Sequence, residues 1–176
     1  MIGAPDRPAV RFDNVSIVFG ASPDTALPLM DDGRDRADIQ KATGQVLGVH
    51  NCSLDVAAGE ILVLMGLSGS GKSTLLRAVN GLNPVVRGAC LVDDGSDLVN
   101  VTEADGTALR SLRSSRVSMV FQQFGLLPWR SVRDNVGLGL ELDGVPKSQR
   151  RARVDEQLSL VGDRKSTRLN SSHLVI

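Results

Sequence analysis

No charge of either sign dominates this sequence: 20 lysines and arginines are matched by 20 acidic residues. A chain that held nucleic acid or a membrane surface by its overall field would carry a basic excess, so both are excluded as global partners. Long apolar runs are also missing. The longest in the body of the chain, Ile61 to Met65, falls far short of the roughly 20 residues that a bilayer-spanning helix needs. The opening stretch MIGAPDRPAV has no apolar h-region and sets Asp6 beside Arg7, which argues against a secretory signal and predicts a cytoplasmic protein. Cysteine is scarce. Cys52 and Cys90 form no C-x-x-C pair, so a disulfide scaffold or a cysteine metal site is a poor reading, and both are expected to be small buried hydrophobes. The Asn-x-Ser/Thr triplets at Asn14, Asn51, Asn100 and Asn170 carry no meaning outside the secretory pathway. What remains is ordinary globular material, 41% hydrophobic and 23% charged, at a length that suits one domain.

Hydrophobic patterning divides the chain into short elements. Val10 to Phe19 reads as a strand closed by Gly20. A charged, irregular insertion follows over about 21–45, with one short helix predicted at Asp35 to Ala42 before Gly44. A second strand is predicted at Val49 to Val56. Ile61 to Met65 is apolar throughout, which predicts a strand buried between helices in a parallel sheet. Helix signals run from Lys72 to Asn80 and stop at Gly81. Asp94-Gly95 predicts a hairpin joining Ala89 to Asp93 with Leu98 to Val101. A further helix is expected from a cap at Thr102 with Asp105 reaching back, and Val117 to Phe121 reads as another apolar strand. Ser131 and Asp134 repeat the capping pattern, and Pro146 suits the first position of a charged helix ending near Gly162.

The most informative residues are Gly66-Leu67-Ser68-Gly69-Ser70-Gly71-Lys72-Ser73, which satisfy G-x-x-x-x-G-K-[ST] between an apolar run and a helix. A triphosphate is a dense anion, held best by backbone N–H groups that converge on it, and glycine permits the tight turning this demands. Gly66, Gly69 and Gly71 supply that freedom, and Ser68 and Ser70 complete the loop. The helix adds its positive N-terminal end. Lys72 is expected to set its ammonium between the β- and γ-phosphates, Ser73 to offer a hydroxyl to Mg²⁺, and Thr74 to reach the α-phosphate, so the loop 66–74 predicts ATP and Mg²⁺ as cofactors. No N-K-x-D guanine motif accompanies it, which disfavours a GTPase.

Beyond the loop the text becomes more specific: GLSGSGKSTLL, then MVFQQFGLLPW, then SVRDNVGLGLEL. From Val10 to Asp163, including the insertion and LGVHNCSLDVAAGEILVLMGLSGSGKST, the sequence resembles the ATPase subunit of an ATP-binding cassette importer, and most closely the subgroup serving quaternary amines such as choline and glycine betaine. The resemblance implies an α/β, P-loop NTPase fold represented by its N-terminal part only, over 1–163: an antiparallel β subdomain, an incomplete parallel-sheet core and part of the helical subdomain. It implies that Phe19 stacks on adenine, where tyrosine is commoner. It places the Q-loop at 122–130, with Gln122 touching Mg²⁺ and the attacking water, and Gln123 only a neighbour. It gives Gly125 to Trp129 to the surface where a transmembrane permease subunit docks. A second ATPase subunit, forming a homodimer, and indirectly a substrate-binding protein are the other implied partners, at the inner face of the cell membrane.

Hydrolysis needs a carboxylate for Mg²⁺ and a group that orients water. Asp93 and Asp94 close an apolar run and resemble a Walker B strand, but the turn at Asp94-Gly95 makes a peripheral hairpin the better reading. In the resembled family the signature, the catalytic glutamate and the switch histidine follow the helix that ends here near Gly162. None is found in this chain, so no catalytic residue is assigned beyond the contribution of Gln122. His50 and His173 are poor candidates. Residues 164–176, RKSTRLNSSHLVI, depart from the family pattern and read as a non-native tail of adapter or vector origin. The alternatives are a nucleotide-binding fragment without turnover, a soluble cassette ATPase outside transport, and a small P-loop kinase. The insertion favours the importer.

Overall fold

The computed structural model describes residues 7–122 and 125–161, which gather into two compact units divided after Met119. The first unit is built on an antiparallel sheet of four strands: β1 (Val10–Phe19), β2 (Val46–Val56), β3 (Arg87–Asp93) and β4 (Leu98–Asn100), in the order β2-β1-β3-β4. β1 is central because its apolar residues are the most completely covered. Val15 and Ile17 are fully buried, and the register slips beside Asn14, which takes a left-handed φ of +49° and bulges the strand. Against this sheet lies α3 (Lys72–Val79), whose Leu75 and Ala78 join Phe12, Val15, Ile17, Val49, Cys90 and Val92 in one core.

The insertion has its own smaller core. A 3₁₀ turn (Pro23–Ala26), α1 (Leu27–Asp31) and α2 (Arg36–Thr43) bury Ala26, Met30 and Ile39 against Val18 and Leu47 of the sheet. α2 is defined at both ends. The Asp35 carboxylate accepts the Asp38 N–H at 2.8 Å, and Gly44 closes the helix in the left-handed conformation, as the sequence predicts. The hairpin is also present, with Asp94 Oδ1 accepting the N–H groups of Ser96 and Asp97. Those backbone donors, Asp97 before Ser96, hold the Asp94 carboxyl below its usual range. Asp93 accepts from Arg7 and from the Gly95 N–H, so both acids serve the turn. Cys90 lies in the core, where burial pushes its thiol up to about 12, and burial also raises the half-buried Cys52.

The structure corrects expectations for three segments of the first unit and its boundary. Ile61 to Met65 forms no strand: Ile61 is 90% exposed and Met65 88%, and only Leu64 packs against the core. A parallel strand exists only through neighbours on both sides, and none of the described residues hydrogen-bonds to this run. Val117 to Phe121 is likewise irregular, with Val120 and Phe121 exposed. The helix expected from Thr102 begins instead as α4 (Gly106–Ser115), because the Asp105 carboxylate accepts from both Thr107 and Ala108, whereas the Thr102 hydroxyl is engaged by the Cys90 N–H.

The second unit holds α5 (Val132–Val136), α6 (Leu138–Leu142) and α7 (Lys147–Leu160). Ser131 caps α5 by accepting the Asp134 N–H and donating to its carboxylate, as the spacing predicts. Pro146 sits one position earlier than expected, at the N-cap of α7. Arg130 and Arg150 both pair with Glu141, and Arg133 pairs with Asp155. None of the helices among the described residues is long and apolar enough to cross a membrane.

Candidate functional site

The glycine-rich loop joins the exposed apolar run to α3, and its geometry follows from three left-handed glycines: Gly66 at φ +152°, Gly69 at +79° and Gly71 at +95°. Gly71 is the N-cap of α3, so the chain turns into the helix there without a side chain to cap it. A Cβ at Gly71 would stand 2.5 Å from the Gly48 carbonyl oxygen, which excludes every other residue from this conformation. The amides of Lys72, Ser73 and Thr74 consequently have no hydrogen-bond acceptor among the described residues. They form the positive end of an eight-residue helix, a place where backbone donors favour an anion.

Lys72 curls back over the loop. Its ammonium donates to the carbonyls of Gly66 at 2.8 Å and Leu67 at 2.7 Å and to the Ser70 hydroxyl at 3.1 Å, so all three protons point into the loop. Ser68, Gly69, Ser70 and Ser73 are exposed, and the Ser73 hydroxyl is a hard oxygen of the kind that suits Mg²⁺. Gly48 on β2 brings Phe19 to the same place. A Cβ there would meet Phe19 Cε2 at 2.9 Å and Thr74 Cγ2 at 3.0 Å, so the absence of a side chain lets the ring at the end of β1 lie beside the first turn of α3. The edge of this ring is accessible, with 36% of the residue exposed. The fold therefore brings Phe19, Gly66, Ser68, Gly69, Ser70, Gly71, Lys72, Ser73 and Thr74 together on the first unit. Gln122 belongs to the second, as an exposed residue in an irregular segment.

Two residues here escape a reading of the sequence. Arg36, from the insertion, donates to the Gly69 carbonyl at 2.6 Å and to the Gly48 carbonyl at 3.1 Å, joining the loop to β2. On the second unit, Asn135 organises the segment after Gln122. Its Oδ1 accepts the Leu127 N–H at 2.7 Å while Nδ2 donates to the carbonyls of Leu127, Arg130 and Ser131, which leaves Trp129 77% exposed. Neither residue stands in a motif; each acts on backbone groups, and only the fold reveals which. His50 is an exposed residue of β2, and His173 with the rest of 164–176 lies outside the described residues, as does Gln123.

A left-handed glycine loop opening a helix, with a lysine turned across it and an aromatic ring alongside, defines a phosphate-loop protein of the nucleotide-binding class. Comparison with known proteins is narrower: the sequence family described as ABC transporter matches residues 49–174, and the chain belongs to that family. Among its relatives, the glycine betaine transport ATP-binding protein of Bacillus subtilis is 40% identical over 87% of this chain and 36% of its own length. The trimethylamine N-oxide transport system ATP-binding protein of Ruegeria pomeroyi is 45% identical over 88% of this chain and 44% of its own length. The methionine import ATP-binding protein of Geobacillus kaustophilus is 46% identical over a shorter stretch, 70% of this chain. A dimeric bacterial ABC transporter cassette superposes with a TM-score of 0.71 at 23% identity, covering 94% of this chain and 63% of the cassette, which shows the same fold. The chain thus spans less than half the length of these first two relatives.

Proposed function

We propose that this chain is the nucleotide-binding portion of the ATPase subunit of an importer for quaternary amines such as glycine betaine or choline. The observation that carries the reading is the convergence of turned glycines, the first-turn amides of α3 and the Lys72 ammonium on one exposed loop. The loop amides and Lys72 would hold the phosphates of ATP; for this the ammonium exchanges its carbonyl partners for phosphate oxygens, to which charge-assisted bonds are stronger. Ser73 would hold Mg²⁺, which when bound neutralises phosphate charge. Thr74 would meet the α-phosphate and Phe19 would stack on adenine.

The names of the glycine betaine relatives support quaternary amines as the solute class. A transmembrane permease subunit, a second copy of the ATPase subunit and a substrate-binding protein complete the proposed importer, with this protein on the cytoplasmic face of the membrane. Asn135 would hold Trp129 outward toward the permease. One observation favours a second reading, nucleotide binding without turnover: Asp93 and Asp94 are both engaged in the hairpin, which leaves neither to act as a catalytic carboxylate. The test is titration with a fluorescent ATP analogue. Lys72→Ala is expected to weaken binding at least tenfold, about 1.4 kcal/mol; equal affinity in variant and parent rejects the phosphate-loop assignment.

A further inference from the structure

The insertion is more than a decoration on the sheet edge. Arg36 occupies the first position of α2, a helix fixed by its Asp35 cap and by Ile39 in the small core, so its guanidinium is delivered by a folded element. From there it reaches the Gly69 carbonyl at 2.6 Å and the Gly48 carbonyl at 3.1 Å. Gly48 is the residue whose missing side chain admits both Phe19 and Thr74, and whose carbonyl abuts Gly71. One side chain thus ties the apex of the loop to the strand against which the whole site is assembled. Among the described residues no carboxylate lies within ion-pair distance of Arg36. Its charge faces carbonyl oxygens, and that of Lys72 carbonyl and hydroxyl oxygens, at the loop, an arrangement left electropositive for an incoming anion.

We propose that the insertion is a working part of the phosphate site, with Arg36 as the positioning residue that holds Gly69 in place, so that order in the insertion and affinity for polyphosphate rise together. A loop of glycines loses more conformational freedom on binding than any other backbone, and a tether at its apex removes part of that cost in advance. The coupling runs from Ile39 in the insertion core, through α2 and Arg36, to Gly69. This inference rests on the proposal that the loop binds nucleotide, and the two are separable by experiment.

The test is calorimetric titration of the full chain with ATP and with inorganic triphosphate. Arg36→Ala is expected to weaken both ligands about tenfold while the ligand-free urea midpoint stays unchanged, and Arg36→Lys, which retains a donor but not the two-pronged reach, to recover part of the loss. Ile39→Ala is expected to weaken binding in the parent but to add nothing once Arg36 is removed, the signature of a shared route. Full affinity in Arg36→Ala alongside a loss in Lys72→Ala overturns this inference and leaves the nucleotide site standing. A lowered ligand-free midpoint in both Arg36 variants, or an Ile39 effect that is the same with and without Arg36, also overturns it. No binding of either ligand by the parent removes the nucleotide site and this inference together.

Discussion

Replacing Gly71 and Gly69 separately by alanine tests whether the loop is fixed by contact or only by backbone conformation. Both glycines are left-handed, at φ +95° and +79°, so each alanine suffers the penalty of that region, about 1–2 kcal/mol. Only Gly71 adds a collision: its Cβ would lie 2.5 Å from the Gly48 carbonyl oxygen and 3.2 Å from Val49 Cγ2, whereas a Cβ on Gly69 meets nothing within 4 Å. The struck atom is backbone in a paired strand and cannot rotate aside, so α3 or β2 must shift, at a further cost of about 1–3 kcal/mol. Gly71→Ala is therefore expected to lose about 2–5 kcal/mol in urea unfolding and Gly69→Ala about 1–2 kcal/mol. With a slope of about 1–3 kcal/mol per molar urea, the two midpoints should be resolved easily. Equal midpoints would refute the claim that α3 is docked against Gly48 through a glycine contact.

Phe19→Ala is expected to weaken ATP while leaving inorganic triphosphate nearly unchanged, since the ring would meet only the base; equal losses in paired titrations indicate a folding defect instead. For Cys90 the folded thiol is raised to about 12, so its contribution to stability is complete below the ordinary thiol range near 8.5 and declines as pH rises from there toward 12. Urea midpoints taken upward from pH 8 should fall, and Cys90→Val should flatten part of that fall. Extension of the chain to the length of the solved cassettes is expected to cover Ile61, Val63 and Met65, reducing hydrophobic-dye binding, and to give Mg²⁺-dependent ATP hydrolysis, while the 176-residue chain stays at background. Robust turnover by the 176-residue chain, abolished in Lys72→Ala, overturns that expectation.

What could be read from the sequence was mostly local. The strand Val10–Phe19 ends where Gly20 says it does, the helix after Asp35 stops at Gly44, and the hairpin turns at Asp94-Gly95, because each depends on groups within a few residues of one another. The phosphate loop is legible for the same reason: three glycines and a lysine in a fixed spacing set their own geometry. Thr102 does not cap the helix because its neighbours compete: Asp105 offers a stronger acceptor to the same stretch of amides and the threonine hydroxyl is taken by β3. Arg36 could not be found this way. Its partners are carbonyl groups, which every residue carries, and one of them lies 33 positions away, so no residue type marks the contact.

Ile61 to Met65 shows the other side of that division. Its composition states correctly what the segment requires, apolar cover on both faces, but a strand is a relation between segments and cannot be supplied by one. Without a bonded neighbour the run stays irregular, with Ile61, Val63 and Met65 exposed, yet the residues that follow keep their form. The loop retains its three left-handed glycines and Lys72 its three bonds, because α3 is anchored from the opposite side by Leu75 and Ala78 in the antiparallel core and by the contact of Gly71 with Gly48. The phosphate loop in this chain is thus held by the β1-β2-β3 face and the insertion rather than by the strand that leads into it. That is why the effects of Arg36 and Gly71 should be measurable in the chain as it stands.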